Sequence, residues 1–90
     1  MNIVWTIGAV HSLRAIRNYI LADNPQAAAK IADRIETSVQ QLALFPNCGR
    51  AGLRAGTREL VIPGLPYVVV YRVMQEVQIL RIFHEKQQRY

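Results

Sequence analysis

Two histidines, one cysteine and a set of arginines are the side chains of this sequence whose chemistry suits catalysis or binding. His11 and His84 belong to a predicted helix and a predicted last strand, and their spacing matches no metal-binding motif. Cys48 has no second cysteine to pair with, and nothing in the sequence obliges a histidine to lie beside it as a base. We therefore predict no cofactor, no metal and no nucleophilic catalysis by Cys48.

Arginines dominate the charge of the chain. Nine of its 11 cationic side chains are arginines, and with six acids the net charge is +5 and the pI about 10.0. This excess favours acidic proteins or polyanions as partners, or it simply keeps the protein soluble. Arg58, Arg72 and Arg81 fall within the predicted sheet. Each of them could pair with a nearby glutamate, but as a cluster they indicate a binding role.

The faces on which these arginines lie depend on the register of the last hairpin. A turn centred on Gln75 places Arg72 opposite Gln78, and Arg81 opposite Val69. Alternation along the strands then predicts two sets of side chains. Arg72 shares one face with Gln78, Leu80, Ile82 and His84, and Arg81 shares the other with Tyr67, Val69 and Tyr71.

Two helices precede this region. Ile3-Val4-Trp5 forms a short strand-like opening, and Thr6 can cap the helix that follows. Asn24 and Pro25 suit the N-cap and the first position of a second helix, which should end near Leu44, ahead of a proline. Both helices carry an apolar stripe with helical spacing. The stripes are Ala9, Leu13, Ile16 and Ile20 in the first helix, and Ala28, Ile31, Ile35, Val39 and Leu42 in the second.

The second half of the chain is typical of strands. Residues 47–57 are rich in Gly, Arg and Ala without periodicity and predict a loop, whereas Arg58 to Ile62 is compatible with a strand. Tyr67 to Val73 is β-branched and aromatic on both faces, which predicts a central strand covered on both sides, and Val77 to His84 returns as its hairpin partner. The predicted fold class is α+β: an N-terminal strand and an antiparallel two-helix hairpin packed on a curved, mostly antiparallel sheet of about four strands.

Length and hydropathy predict the number of domains and the compartment of the protein. The 90 residues suffice for one domain, residues 1–90, whose stability is marginal and would gain from a partner chain. No signal peptide and no run of about 20 apolar residues is visible, so we expect a cytoplasmic protein without a membrane partner. The lone cysteine fits a reducing compartment.

The ordered set of these features resembles the RelE/ParE superfamily of toxins from type II toxin–antitoxin systems, over essentially the whole chain. The matching residues are Trp5-Thr6, Ala9, Leu13, Ile16, Tyr19-Ile20, Asn24-Pro25, Ala28, Ile31, Ile35, Leu42, Phe45-Pro46, Gly49-Arg50, Gly56-Thr57-Arg58-Glu59-Leu60, Tyr67 to Val73 and Ile79-Leu80-Arg81-Ile82-Phe83-His84.

The sequence departs from the branch of this superfamily that cleaves RNA on the ribosome. In that branch, two strand lysines, a strand arginine and a tail arginine carry the chemistry. The positions that match them here hold Glu59, Val61, Val68 and, near the end of the chain, Gln87. The segment Ile82-Phe83-His84-Glu85-Lys86 is instead similar to the ParE branch, whose members poison DNA gyrase.

The resemblance therefore implies a growth-arresting, plasmid-stabilising toxin that binds DNA gyrase without being an enzyme, and that an acidic cognate antitoxin neutralises in a hetero-oligomer. The residues expected to bind the target are Arg58, Arg72, Arg81, His84, Glu85, Lys86 and Arg89. The alternative is an RNA endonuclease that acts on ribosome-bound mRNA. Its catalytic residues would be Arg58, Arg81, His84 and Tyr90.

Overall fold

The computed structural model describes residues 1–87 as two helices beside a five-stranded sheet. The elements follow one another as β1 (Ile3–Trp5), α1 (Ile7–Leu21), α2 (Pro25–Gln40), a short 3₁₀ helix (Gln41–Ala43), β2 (Arg50–Ala51), β3 (Arg58–Val61), β4 (Tyr67–Val73) and β5 (Val77–His84).

Both helices begin where the capping residues predict. The Thr6 hydroxyl accepts a hydrogen bond from the Ala9 N–H at 3.3 Å, and the Asn24 side chain accepts one from the Ala27 N–H at 3.1 Å. Each side chain thereby satisfies one of the N–H groups that a helix start leaves without a partner. The second helix ends at Gln40, and its last turn tightens into the 3₁₀ helix just short of the predicted end.

The sheet has the strand order β1-β5-β4-β3-β2, in which β1 runs parallel to β5 and all other pairs are antiparallel. This confirms the α+β fold class, with one strand more than the four predicted. The extra strand is β2, which we expected to be loop: its two residues pair with Glu59 and Arg58 of β3. Two residues are too few to show a period in the sequence.

The core lies between the helices and one face of the sheet, here called the inner face. Ile35 and Leu42 are fully buried in the same cluster as Val69 and Tyr71, which confirms that the α2 stripe faces the sheet. Strand β4 lies at the centre of the sheet, and its consecutive residues Val68 and Val69 are both buried. The central position of β4 is therefore confirmed, but its outer face is buried only at Val68, and Arg72 on that face is exposed.

A β-bulge interrupts the pairing of β4 with β5 and changes which side chains share a face. Tyr71 pairs with Ile79, but Val70 pairs with Arg81, so Leu80 is the extra residue. The Thr6 hydroxyl stabilises the bulge by donating to the Ile79 carbonyl oxygen at 2.6 Å. Beyond a bulge every side chain of the strand moves to the opposite face relative to a regular ladder.

Candidate functional site

The bulge corrects the predicted faces of the arginines. Arg81 pairs with Val70, not Val69, and therefore lies with Arg72 on the face turned away from the helices, here called the outer face. Ile82 and His84 lie on the inner face, where we had expected Arg81. These assignments were wrong because a regular register was assumed beyond Tyr71.

Arg58 does not join the other two arginines. It lies on β3, next to the edge strand β2, and pairs with the core residue Tyr71, so it projects on the inner face. Its guanidinium donates to the carbonyl oxygens of Asn47 and Gly49, at 3.2 Å and 2.9 Å. Arg58 therefore holds the loop before β2, and the three arginines form no single cluster.

The same loop is held by a buried tyrosine. The Tyr71 hydroxyl donates to the Pro46 carbonyl oxygen at 2.8 Å and accepts from the Gly49 N–H at 2.8 Å. Burial raises the pKa of Tyr71 above its usual value, because the phenolate would lose its hydration in the core. The neutral hydroxyl thus acts as a structural link between β4 and the loop.

The outer face carries a cleft of about 310 Å³ between β4, β5 and the loop that joins β2 to β3. It is lined by Leu53, Arg54, Thr57, Glu59, Val70, Leu80 and Arg81. The guanidinium of Arg81 lies 4.9 Å from the centre of the Phe83 ring, a cation–π distance that orients the side chain. Cationic and apolar groups thus line one concave surface.

An ion pair between a buried carboxylate and an exposed arginine forms part of this surface. Glu59 is only 3% exposed, and its Oε1 lies 2.9 Å from Nη2 and 3.0 Å from Nε of Arg50. A buried carboxylate needs such a partner, because losing water without compensation costs several kcal/mol. The extra strand β2 places Arg50 directly opposite Glu59 and so provides that partner.

His84 organises the segment that follows β5. Its ring Nδ1 accepts a hydrogen bond from the Lys86 backbone N–H at 3.1 Å, and the backbone N–H of His84 donates to Oε1 of Gln87 at 2.8 Å. The His84 ring meets Tyr67 edge to face, with centroids 5.5 Å apart. Glu85 and Lys86 are exposed on this turn. The predicted site residues Arg89 and Tyr90 lie outside the described residues.

Among the alternative nuclease residues, the three that lie within residues 1–87 are Arg58, Arg81 and His84, and they do not lie close together. Arg58 pairs with Tyr71 and His84 with Tyr67, four positions apart on β4. Strand geometry puts the Cα atoms of Arg58 and His84 about 16 Å apart, counting about 13 Å along β4 and two strand spacings of about 4.8 Å. Arg81 projects from the opposite face of the sheet from both.

Residues 1–87 contain neither a candidate metal site nor a candidate membrane span. Within this range no three His, Cys, Asp or Glu side chains are grouped so that they could hold a metal ion. Neither α1 nor α2 has the length and apolar character of a membrane-spanning helix.

Comparison with known proteins gives consistent matches. Residues 3–89 match the profile of the family described as ParE toxin of type II toxin-antitoxin system, parDE. A putative toxin, Y4kP of Sinorhizobium fredii, is 44% identical, over 97% of this chain and 91% of its own. Toxin RelE2 of Caulobacter vibrioides is 43% identical, over 92% of this chain and 93% of its own.

A solved structure, described as a chromosomal ParDE TA system from P. aeruginosa, is similar with a TM-score of 0.85. It is 31% identical in sequence and covers 93% of this chain and 95% of its own. The fold is thus that of a small toxin of a toxin–antitoxin system. The chain belongs to the ParE toxin family, within the RelE/ParE superfamily, and this membership implies a cognate antitoxin.

Sequence reasoning missed three residues of the outer face: Arg50, Arg54 and Thr57. All three lie in the segment that we predicted as an unstructured loop. The signal was weak but present, because this segment holds arginines at four-residue intervals, Arg50, Arg54 and Arg58, between small residues. Which of them meet on one face depends on β2 and on the bulge, and neither has a local sequence pattern.

Proposed function

We propose that this protein arrests growth by binding DNA gyrase, without catalysing a reaction of its own. The observation that carries the proposal is which side chains occupy the outer face at the positions where the RNA-cleaving branch has its cations. The matching positions Glu59, Val61 and Val68 all lie on that face here. They offer one carboxylate, already paired with an arginine, and two valines.

Cleavage of RNA through its 2′-hydroxyl requires a base, an acid and cations that stabilise the phosphorane charge. Valine supplies none of these, and the Arg58 guanidinium is already engaged with the carbonyl oxygens of Asn47 and Gly49, away from His84. The similarity of the chain to the ParE family, over residues 3–89, agrees with this argument.

The gyrase contact would be made by the turn after β5 together with Arg72 and Arg81. The turn exposes Glu85 and Lys86, and the hydrogen bond from the Lys86 N–H to the His84 ring limits its conformations. A contact segment that is ordered before binding loses less entropy when it meets its target. His84 in this proposal acts by holding the turn, and it transfers no proton.

The direct test is to induce the protein in cells and to ask which fails first, plasmid supercoiling or mRNA integrity. We expect supercoiling to change while mRNA remains intact. A loss of ribosome-bound mRNA that precedes any change in supercoiling would overturn the proposal and make the ribosome the target.

Variants of His84 and of the tail sharpen this test. His84→Gln should remain substantially toxic because its amide oxygen can accept from the Lys86 N–H, whereas removal of residues 86–90 should abolish gyrase poisoning. If His84 were a general acid or base, His84→Gln would lose about 10²–10⁴-fold in rate. The exposed His11→Gln is the matched control. A toxic truncation together with an inert His84→Gln would contradict the assignment.

A further inference from the structure

The turn that follows β5 is held by a hydrogen bond whose acceptor is the ring of a histidine. We propose that protonation of the His84 ring frees Lys86 from this turn, which makes the turn a pH-sensitive switch. The inference concerns the turn itself and does not depend on gyrase being the target. A partner that recognises the ordered turn would bind more weakly at acid pH, because it must order Lys86 again.

The direction of this hydrogen bond fixes the protonation state of the ring. The Lys86 backbone N–H lies 3.1 Å from Nδ1 of His84. A backbone amide nitrogen can only donate, so Nδ1 carries a lone pair and the ring proton is on Nε2. In the charged imidazolium both ring nitrogens carry protons, and neither can accept. The contact with Lys86 is therefore restricted to the neutral ring.

The other hydrogen bonds of the turn do not involve the imidazole. The Gln87 backbone N–H donates to the His84 carbonyl oxygen, and the Glu85 backbone N–H donates to the Pro66 carbonyl oxygen, both at 2.8 Å. The His84 backbone N–H donates to Oε1 of Gln87. Protonation of the ring leaves these three hydrogen bonds in place. The expected change is therefore local and concerns Lys86.

The surroundings of the ring give the charged form no way to restore the contact. The His84 ring meets Tyr67 edge to face, at an interplanar angle of 85°, and lines a groove of about 470 Å³ with Ile16 and Tyr19 of α1. A flip of the ring within this packing exchanges Nδ1 for the carbon Cδ2. Neither orientation of the imidazolium thus offers an acceptor to the Lys86 N–H.

The other titratable groups near the ring keep their charge in the range where a histidine titrates. Tyr67 of β4 and Tyr19 of α1 line the groove with the ring, and phenols are neutral between pH 5 and 8. Glu85 and Lys86 are exposed on the turn and change charge outside this range. In the described part of the chain, the His84 ring forms no ion pair with a carboxylate. A change of the turn between pH 5 and 8 would therefore report on His84.

The experiment follows the purified, ¹⁵N-labelled protein by NMR between pH 5 and pH 8. The carbon-bound ring protons report the protonation of His84. Hydrogen exchange of the backbone amides is expressed as protection factors, which correct for the intrinsic effect of pH on exchange. Protection of the Lys86 amide should fall about fivefold as the ring gains its proton, the loss expected for one hydrogen bond. The Gln87 amide bonds to a backbone carbonyl and should keep its protection.

Two variants assign the effect to the ring. His84→Gln supplies an amide oxygen that accepts at every pH, so protection of the Lys86 amide should no longer depend on pH. His11→Gln removes an exposed histidine of α1 and should keep the pH dependence of the wild type.

Unchanged protection of the Lys86 amide while the His84 ring titrates would overturn the proposal. A pH response that persists in His84→Gln would also overturn it, because the response would then come from another group, such as Glu85. The titration of the wild type needs no variant, so it decides the question even if His84→Gln fails to fold. None of these measurements involves gyrase, so their result and the result of the supercoiling test are independent.

Discussion

Removal of the Tyr71 hydroxyl is the most informative test of how the sheet holds the loop before β2. Tyr71→Phe keeps the ring in the core but deletes both hydrogen bonds of the hydroxyl, each 2.8 Å long. The buried Gly49 N–H loses its partner entirely, and the half-buried Pro46 carbonyl loses one. A buried polar group without a partner costs about 1–3 kcal/mol, so we expect a loss of about 2–4 kcal/mol.

This loss is large for a small domain, whose free energy of unfolding is about 5–15 kcal/mol. Urea unfolding followed by circular dichroism measures it directly. Tyr19→Phe is the matched control, because Tyr19 is 78% exposed, and its stability should change by less than about 0.5 kcal/mol. A Tyr71→Phe protein as stable as this control would refute the proposed role of the hydroxyl.

The same variant tests the pH dependence of stability. Burial raises the pKa of Tyr71 above 10.0, whereas in the unfolded chain the tyrosine ionises near its ordinary value. Its contribution is therefore fully present below pH 10.0 and is lost as the pH rises through the folded-state pKa. Burial, and then Tyr19, also raise the pKa of Tyr67, so some alkaline destabilisation remains in Tyr71→Phe. Wild type should lose more stability than the variant above pH 10.0, and parallel profiles would contradict this reasoning.

Two further predictions concern the core and the bulge. Ile35→Ala should lower the free energy of unfolding by about 2–5 kcal/mol, because it opens a cavity at a fully buried site. Ile7→Ala, at a position that is 75% exposed, should lower it by less than about 1 kcal/mol, and equal losses would show that the wrong helix face was assigned. Thr6→Val should cost about 1–3 kcal/mol in urea unfolding, since it removes both the helix cap and the donor to the Ile79 carbonyl. An unchanged unfolding midpoint would mean that the bulge forms without Thr6.

Local signals account for what the sequence predicted well. The bounds of β4 and β5 agree with the predicted Tyr67–Val73 and Val77–His84, because β-branched and aromatic residues are frequent in both segments. The starts of α1 and α2 agree because Thr6 and Asn24 are capping residues whose role depends only on the next three residues.

The remaining errors come from contacts between residues far apart in the chain. The bulge depends on a hydrogen bond from Thr6 to a carbonyl 73 residues later, and no window of sequence contains both. One unpaired residue in β5 was enough to exchange the faces of Arg81 and Ile82. The bulge places Arg81 on the same face as Arg72, but Arg58 pairs with Tyr71 and lies on the opposite face, so the three arginines form no single cluster. The prediction of a fold with two helices on a sheet did not depend on this detail.

The position of β5 between β1 and β4 has a consequence for synthesis of the protein. The first strand of the chain finds its partner only in the last one, and α1 packs against that same strand. A nascent chain that has not yet reached residue 84 lacks the complete strand that joins β1 to β4. The sheet can therefore be completed only after residue 84 has left the ribosome, and such long-range pairing is intrinsically slow.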